Sequence, residues 1–163
     1  MFFKRLGLLV LLWGLLVIPA SAAMVSFMVI ETGIRPEADT GEYSYAWEDG
    51  LMGTFFDAGH IVTNSTVLRM QNAPAAGLPP EAQADFREAA EGWADFFVLV
   101  ILEYNSSDGR LRPRSAIIRV FSTATGRMTY EQAFPAGSGS SVRDEHNAAR
   151  QAASAVAAQL EVR

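Results

Sequence analysis

The sequence contains no cysteine. That excludes a disulfide framework, thiolate metal sites, a thiol nucleophile and a lipidated Cys anchor. Histidine is scarce: His60 and His146 are the only imidazoles available as bases or ligands. Lys4 is the only lysine, so almost all positive charge is arginine. The sequence has no Walker-type loop, no dinucleotide-binding glycine pattern and no Gly-x-Ser-x-Gly elbow. It shows no internal repeat. No cofactor is expected from these motifs.

What is present is apolar. Half of the 163 residues are hydrophobic, ten are Phe and 19% are charged, which excludes a disordered chain and allows one domain. Lys4 and Arg5 open the chain, an apolar run follows to Ile18, and Pro19 and Ala20-Ser21-Ala22 close it. This is the pattern of a secretory signal peptide over residues 1–23, leaving one domain at 24–163 in the periplasm or outside the cell. An uncleaved anchor is the alternative, because no charge falls between Leu6 and Ile30; Pro19, Ser21 and Ser26 favour cleavage, after which no membrane span is expected. Without Lys4 and Arg5, 11 basic residues face 18 acidic ones, a net −7 that argues against nucleic-acid binding.

Residues 24–30 are apolar on both alternating faces and read as a buried strand, followed by a polar loop from Glu31 to Ser44. Trp47, Leu51 and Phe55 recur at helical spacing, and Gly59 is placed to end that helix. His60-Ile61-Val62 opens a short strand. Pro79-Pro80 starts a second helix with Ala82, Phe86, Ala89, Ala90 and Trp93 on one face. Phe96 to Leu102 is seven apolar residues in a row and predicts the central strand. Residues 115–122 and 128–134 form a hairpin about Thr125-Gly126. A flexible link at 137–141 leads to a last helix, with Ser141 and Asp144 as its capping box and an alanine-rich buried face. The order is β-α-β-α-β-β-β-α: a single α/β (α+β) domain with a mixed sheet packed by three helices.

Three stretches carry a resemblance. They are Ser26-Phe27-Met28-Val29-Ile30, then Gly92-Trp93-Ala94-Asp95 leading into Phe96-Phe97-Val98-Leu99, then Ile117-Ile118-Arg119-Val120-Phe121 with the Thr125-Gly126 turn and Met128-Thr129-Tyr130. In this wording the chain resembles bacterial envelope domains of the TolB amino-terminal, LpoB and CsgG type. The resemblance implies a periplasmic, non-catalytic, protein-binding domain. LpoB-like and CsgG-like members are anchored through a Cys that this chain lacks, and TolB carries a propeller after this domain whereas this sequence ends at Arg163. Their specific partners are therefore not carried over.

Candidate chemistry is thin. Asp57 with His60, and Asp144-Glu145-His146, are the nearest approaches to a metal set. Adjacent helical residues diverge, so the second group suits the helix dipole better than an ion. Glu48 with Asp49 reads as a solvated face. Neither catalytic nor metal residues are assigned. Arg110, Arg112, Arg114, Arg119 and Arg127 lie within 18 residues with no acid between them. They read as a docking patch at one end of the domain, with surface ion pairing or guarding of a sheet edge as the alternative. Tyr43 and Tyr45 are possible contact anchors or packing residues. Trp47, Phe55, Phe56, Phe86 and Trp93 read as core. Asn64-Ser65-Thr66 fits a glycosylation acceptor pattern. The expected function is a non-enzymatic envelope interaction module whose partner is an envelope protein or an acidic surface polymer. Alternatives are a hydrolase or metal enzyme using His60 or His146, and a self-associating structural subunit.

Overall fold

The computed structural model describes residues 22–35, 38–105, 111–137 and 141–160. The signal segment up to residue 21, Arg110 and most of the predicted link, residues 138–140, lie outside the described residues.

β1 (Met24–Thr32) is apolar on both faces and is covered on both. On one side it pairs in parallel with β2 (Ile61–Asn64) and β3 (Leu68–Met70); on the other it pairs in parallel with β4 (Phe96–Asn105). β4 pairs antiparallel with β5 (Arg112–Ser122), and β5 antiparallel with β6 (Met128–Pro135). The result is a six-stranded mixed sheet of order β2-β1-β4-β5-β6, with β3 beside the second half of β1. The mixed α+β class and the central place of β4 match the sequence pattern.

Helices cover both faces. α1 (Gly41–Asp57) and α3 (Val142–Ala157) lie over Val25, Phe27 and Val29 of β1, with Val98 and Val100 of β4, and bury Trp47, Leu51, Phe55, Ala152 and Val156. α2 (Gln83–Glu91), entered through a 3-10 turn at Pro80–Ala82, lies on the other face with Met28, Ile30, Phe97, Leu99 and Ile101. Ser141 caps α3 by accepting from the Asp144 amide at 3.2 Å. The small residues of α3 let it approach α1 closely: a Cβ on Gly50 would stand 2.7 Å from the Ala149 Cβ. Gly59, at φ +89°, turns the chain out of α1 in the left-handed region that glycine tolerates.

Several boundaries differ from the sequence reading. β1 extends through Glu31 and Thr32, and α1 begins at Gly41, so the polar stretch between them is shorter than predicted. β3 is a three-residue strand that exists because β1 offers a second half to pair with. β5 begins at Arg112 rather than Ser115, with a bulge opposite Glu103 and Tyr104. Two aromatics predicted as core are outside: Phe56 is 71% exposed and Trp93 is 86% exposed. Phe56 follows the buried Phe55 by about 100° and so falls on the outer side of α1, and α2 ends at Glu91, before Trp93. No helix among the described residues is long and apolar enough to cross a membrane.

Candidate interaction surface

The arginine run does not gather at one end. Arg112 and Arg114 stand at the start of β5, and Arg127 follows the turn beyond its end. The strand rise separates them by about 30 Å. Arg119, midway, is 5% exposed and turned inward. Its Nε donates to Glu131 Oε2 at 2.6 Å, and its Nη1 donates to the carbonyls of Ala75 at 2.8 Å and Gly77 at 3.2 Å. It pins the irregular segment before α2 onto the sheet and offers nothing to a partner. Arg114 falls at the β5 bulge and lines a cleft of about 360 Å³ with Glu103, Asn105, Gln71 and Asn72. Arg112 contributes a favourable field to Glu145. Arg127 is exposed beside Met128, which is exposed as well.

The two tyrosines separate on the first turns of α1. Tyr43 packs against the core, while Tyr45 is 69% exposed. Tyr45, Met52 and Phe56 recur at i, i+7 and i+11 and form one outward apolar stripe on α1, opposite the buried Trp47, Leu51 and Phe55. Trp93 stands apart, between α2 and β4, with φ +68°. A bulky residue in the left-handed region is strained by roughly 1–2 kcal/mol, so its indole is held in solvent against a local cost.

Charged groups that the sequence reading placed outside are inside. Glu31 is 1% exposed and sits beneath the start of α1. Its carboxylate accepts from the Ser44 hydroxyl and from Arg69 Nε at 2.7 Å, and Arg69 Nη2 reaches Thr40 Oγ1 at 2.9 Å. The Tyr104 hydroxyl lies 3.2 Å from Ser44 Oγ and 3.4 Å from Glu31. Burial pushes the Tyr104 phenol well above its usual range, and the Glu31 charge adds to the shift. Glu145, fully buried, accepts through Oε2 from Trp47 Nε1 at 3.0 Å and from the Gly137 amide at 3.1 Å. Its Oε1 has no hydrogen-bond partner. Burial raises its pKa, opposed by those two donors. One signal could have found these residues: Glu31 continues the Val25, Phe27, Val29 alternation into the helix-covered face.

The imidazoles serve local bonds. His60 Nδ1 accepts from the Ala23 amide at 3.3 Å, and His146 Nε2 lies 3.0 Å from Asp49 on the surface. Asp57 pairs with Arg150 at 3.3 Å rather than with His60, and Glu48 accepts from Asn64. Among the described residues no three His, Asp or Glu side chains converge to hold a metal ion. A cleft of about 430 Å³ opens between α2 and the β1–β2 edge, lined by hydroxyls and by Asp85 and Glu88, with neither imidazole in its wall.

The fold is therefore that of a small single-domain α+β protein whose exposed surface carries apolar side chains and whose interior holds several charged ones. Among solved structures it is similar to the PelC dodecamer from Paraburkholderia phytofirmans, with a TM-score of 0.51 and 14% identity over 89% of this chain and 93% of that one. A PelC variant dodecamer from the same organism in another crystal form gives 0.51 and 14% over 86% and 90%. TolB from Acinetobacter baumannii is similar at a TM-score of 0.36 and 10% identity, over 84% of this chain and 28% of that one, too slight a likeness to argue from. The PelC likeness is one of fold. No family model matches the chain, and no curated protein does.

Proposed function

We propose that this chain is a non-catalytic module of the bacterial envelope, exported by its amino-terminal segment, that works by assembling with copies of itself. The observation that carries the reading is the inversion on α1. Ser44 and Trp47 hold buried carboxylates on its inner side, while Tyr45, Met52 and Phe56 face solvent on its outer side. A contiguous outward apolar stripe on a helix whose other apolar side is already buried is a candidate contact surface. The two buried carboxylates are tied into bonds that hold elements together, Glu31 to α1 and Glu145 to Trp47. The fold likeness to PelC supports assembly, because those structures are dodecamers. The envelope setting is supported by the leader-like start and by the sequence wording shared with envelope domains.

Sedimentation velocity on the protein purified from the exported fraction of a bacterial host, over a hundredfold concentration range, tests this. A mass that rises to a fixed multiple of the chain mass is expected. A monomer at every concentration overturns the reading.

A further inference from the structure

The cleft between α2 and the β1–β2 edge takes no part in the apolar stripe on α1. Ser26 lies in its wall, on the face of β1 shared with Met28 and Ile30, and Thr63 of β2 stands in register beside it. α2 packs over β4, where Phe86 meets Phe97 edge-on with ring centroids 5.7 Å apart. β2 is left largely exposed, and a space of about 430 Å³ stays open between the two. Ala89, Gly92 and Ala94 line the α2 side and are too small to fill it. The loop after β2 forms the other wall and is held in place. The Ser65 amide donates to the Phe27 carbonyl at 2.8 Å, and Asn64 Nδ2 donates to Glu48 Oε1 at 3.0 Å.

The polar groups that line this space are mostly acceptors without partners. Asp85 and Glu88, three residues apart on α2, fall on one side of that helix. Neither carboxylate has an ion pair or hydrogen bond among the described residues. The helix dipole accounts for Asp85 in the first turn, but Glu88 lies beyond that turn. Arg87 is not in the wall; it donates back to the Gln83 carbonyl at 3.4 Å. Ser26 is 5% exposed, lines the cleft, and its hydroxyl has no partner among the described residues. A buried hydroxyl is ordinarily hydrogen-bonded, so its partner comes from within the cleft.

We infer that this cleft binds a small primary-ammonium compound, of the polyamine or amino-sugar type. Its ammonium donates to Asp85 and Glu88, and a further N–H or O–H group meets Ser26. An ammonium is donor-only, and the carboxylates and hydroxyls around it all accept. Hydrogen bonds to charged groups are the stronger kind, so the two carboxylates set the preference. An anion would meet two carboxylates and no cation in the wall. A divalent metal ion lacks a third acidic or imidazole ligand among the described residues. The volume falls within the range of small-molecule sites, about 300–1,000 Å³. The site is built from β1, β2 and α2 of one copy and does not depend on self-assembly.

The test is titration calorimetry on the exported protein with spermidine, glucosamine and N-acetylglucosamine, below neutral pH where the amines are charged and the carboxylates ionised. Spermidine or glucosamine should bind one to one, and N-acetylglucosamine, which lacks the charge, should not. Binding of glucosamine alone assigns the site to amino sugars, and binding of spermidine alone assigns it to polyamines. Asp85→Asn with Glu88→Gln should weaken binding about tenfold or more. Ser26→Ala should weaken it about three- to tenfold. That second variant leaves the net charge unchanged, so its loss marks the cleft rather than the acidity of the whole chain. Thermal unfolding confirms that each variant is folded. On the unaltered chain, amide resonances of Ser26, Thr63 and Glu88 should shift with ligand while that of Arg127 stays put, a readout that needs no variant. The inference is overturned if neither amine binds, if N-acetylglucosamine binds as well as glucosamine, or if the folded variants bind like the unaltered chain.

Discussion

Trp47 Nε1 donates to Glu145 Oε2 at 3.0 Å across 98 residues of sequence, inside the core between α1 and α3. Both side chains are fully buried, so the bond sits where a lone carboxylate would be costly. Glu145 Oε1 still lacks a partner, and the raised pKa is the consequence, with burial as its main cause.

Because the folded state holds the Glu145 proton more tightly than the unfolded chain, its contribution to stability is fully present below the ordinary 4.5 and is lost as pH rises through the folded value. Glu145→Gln keeps an oxygen for Trp47 and the Gly137 amide without a charge. Its unfolding free energy should therefore lose that fall with pH and equal or exceed that of the unaltered chain at neutral pH. Urea unfolding at half-unit pH steps measures it.

Arg119→Leu should cost about 1–3 kcal/mol, since it removes the donor to the carbonyls of Ala75 and Gly77. Urea unfolding gives the total. Limited proteolysis should show new cleavage within residues 71–79, the segment that this side chain holds. Arg119→Lys should restore only part of the loss, because an ammonium cannot fork to both partners.

Gly50→Ala offers a case where helix propensity and packing oppose each other. Alanine favours a helix interior by about 1 kcal/mol over glycine. Here the added methyl would meet Ala149 at 2.7 Å and the His146 carbonyl at 3.0 Å. Overpacking of about 1–3 kcal/mol should win, giving a net loss. Pairing it with Ala149→Gly should recover part of the loss, as read by thermal unfolding.

Trp93→Gly should raise stability by about 1 kcal/mol, although it deletes the largest side chain type, because φ +68° suits glycine and the indole packs on little. A core tryptophan would show the opposite sign, a loss of about 3–5 kcal/mol. Differential scanning calorimetry separates the two.

These cases mark what the sequence could and could not show. β1 and β4 were legible because runs apolar on both faces have one structural solution, a covered strand. The α3 cap was legible because Ser141 and Asp144 form a local bond. β3 was not, since Leu68-Arg69-Met70 becomes a strand only through β1. The Arg119 side chain follows strand parity, but parity does not say which face an irregular segment will close. Phe56 shows the same limit on a helix, where the sheet decides which side is inside, and Trp93 shows another, since α2 ends at Glu91 before the apolar spacing does. Glu31 and Glu145 were missed because charge suggested solvent, whereas Ser44, Arg69 and Trp47 arrive from distant elements to receive them.

The central pairing of the sheet joins Val25 to Phe96 and Glu31 to Leu102. Some 71 residues separate each pair. At ribosomal rates of about 5–20 residues per second, β1 therefore waits roughly 4–14 s for its main neighbour to be synthesised. During that time β1 can pair only with the short β2 and β3, and its other edge stays open. A nascent chain in that state exposes apolar strand surface that the finished sheet buries. The central pairing of the sheet can form only after β4 has emerged.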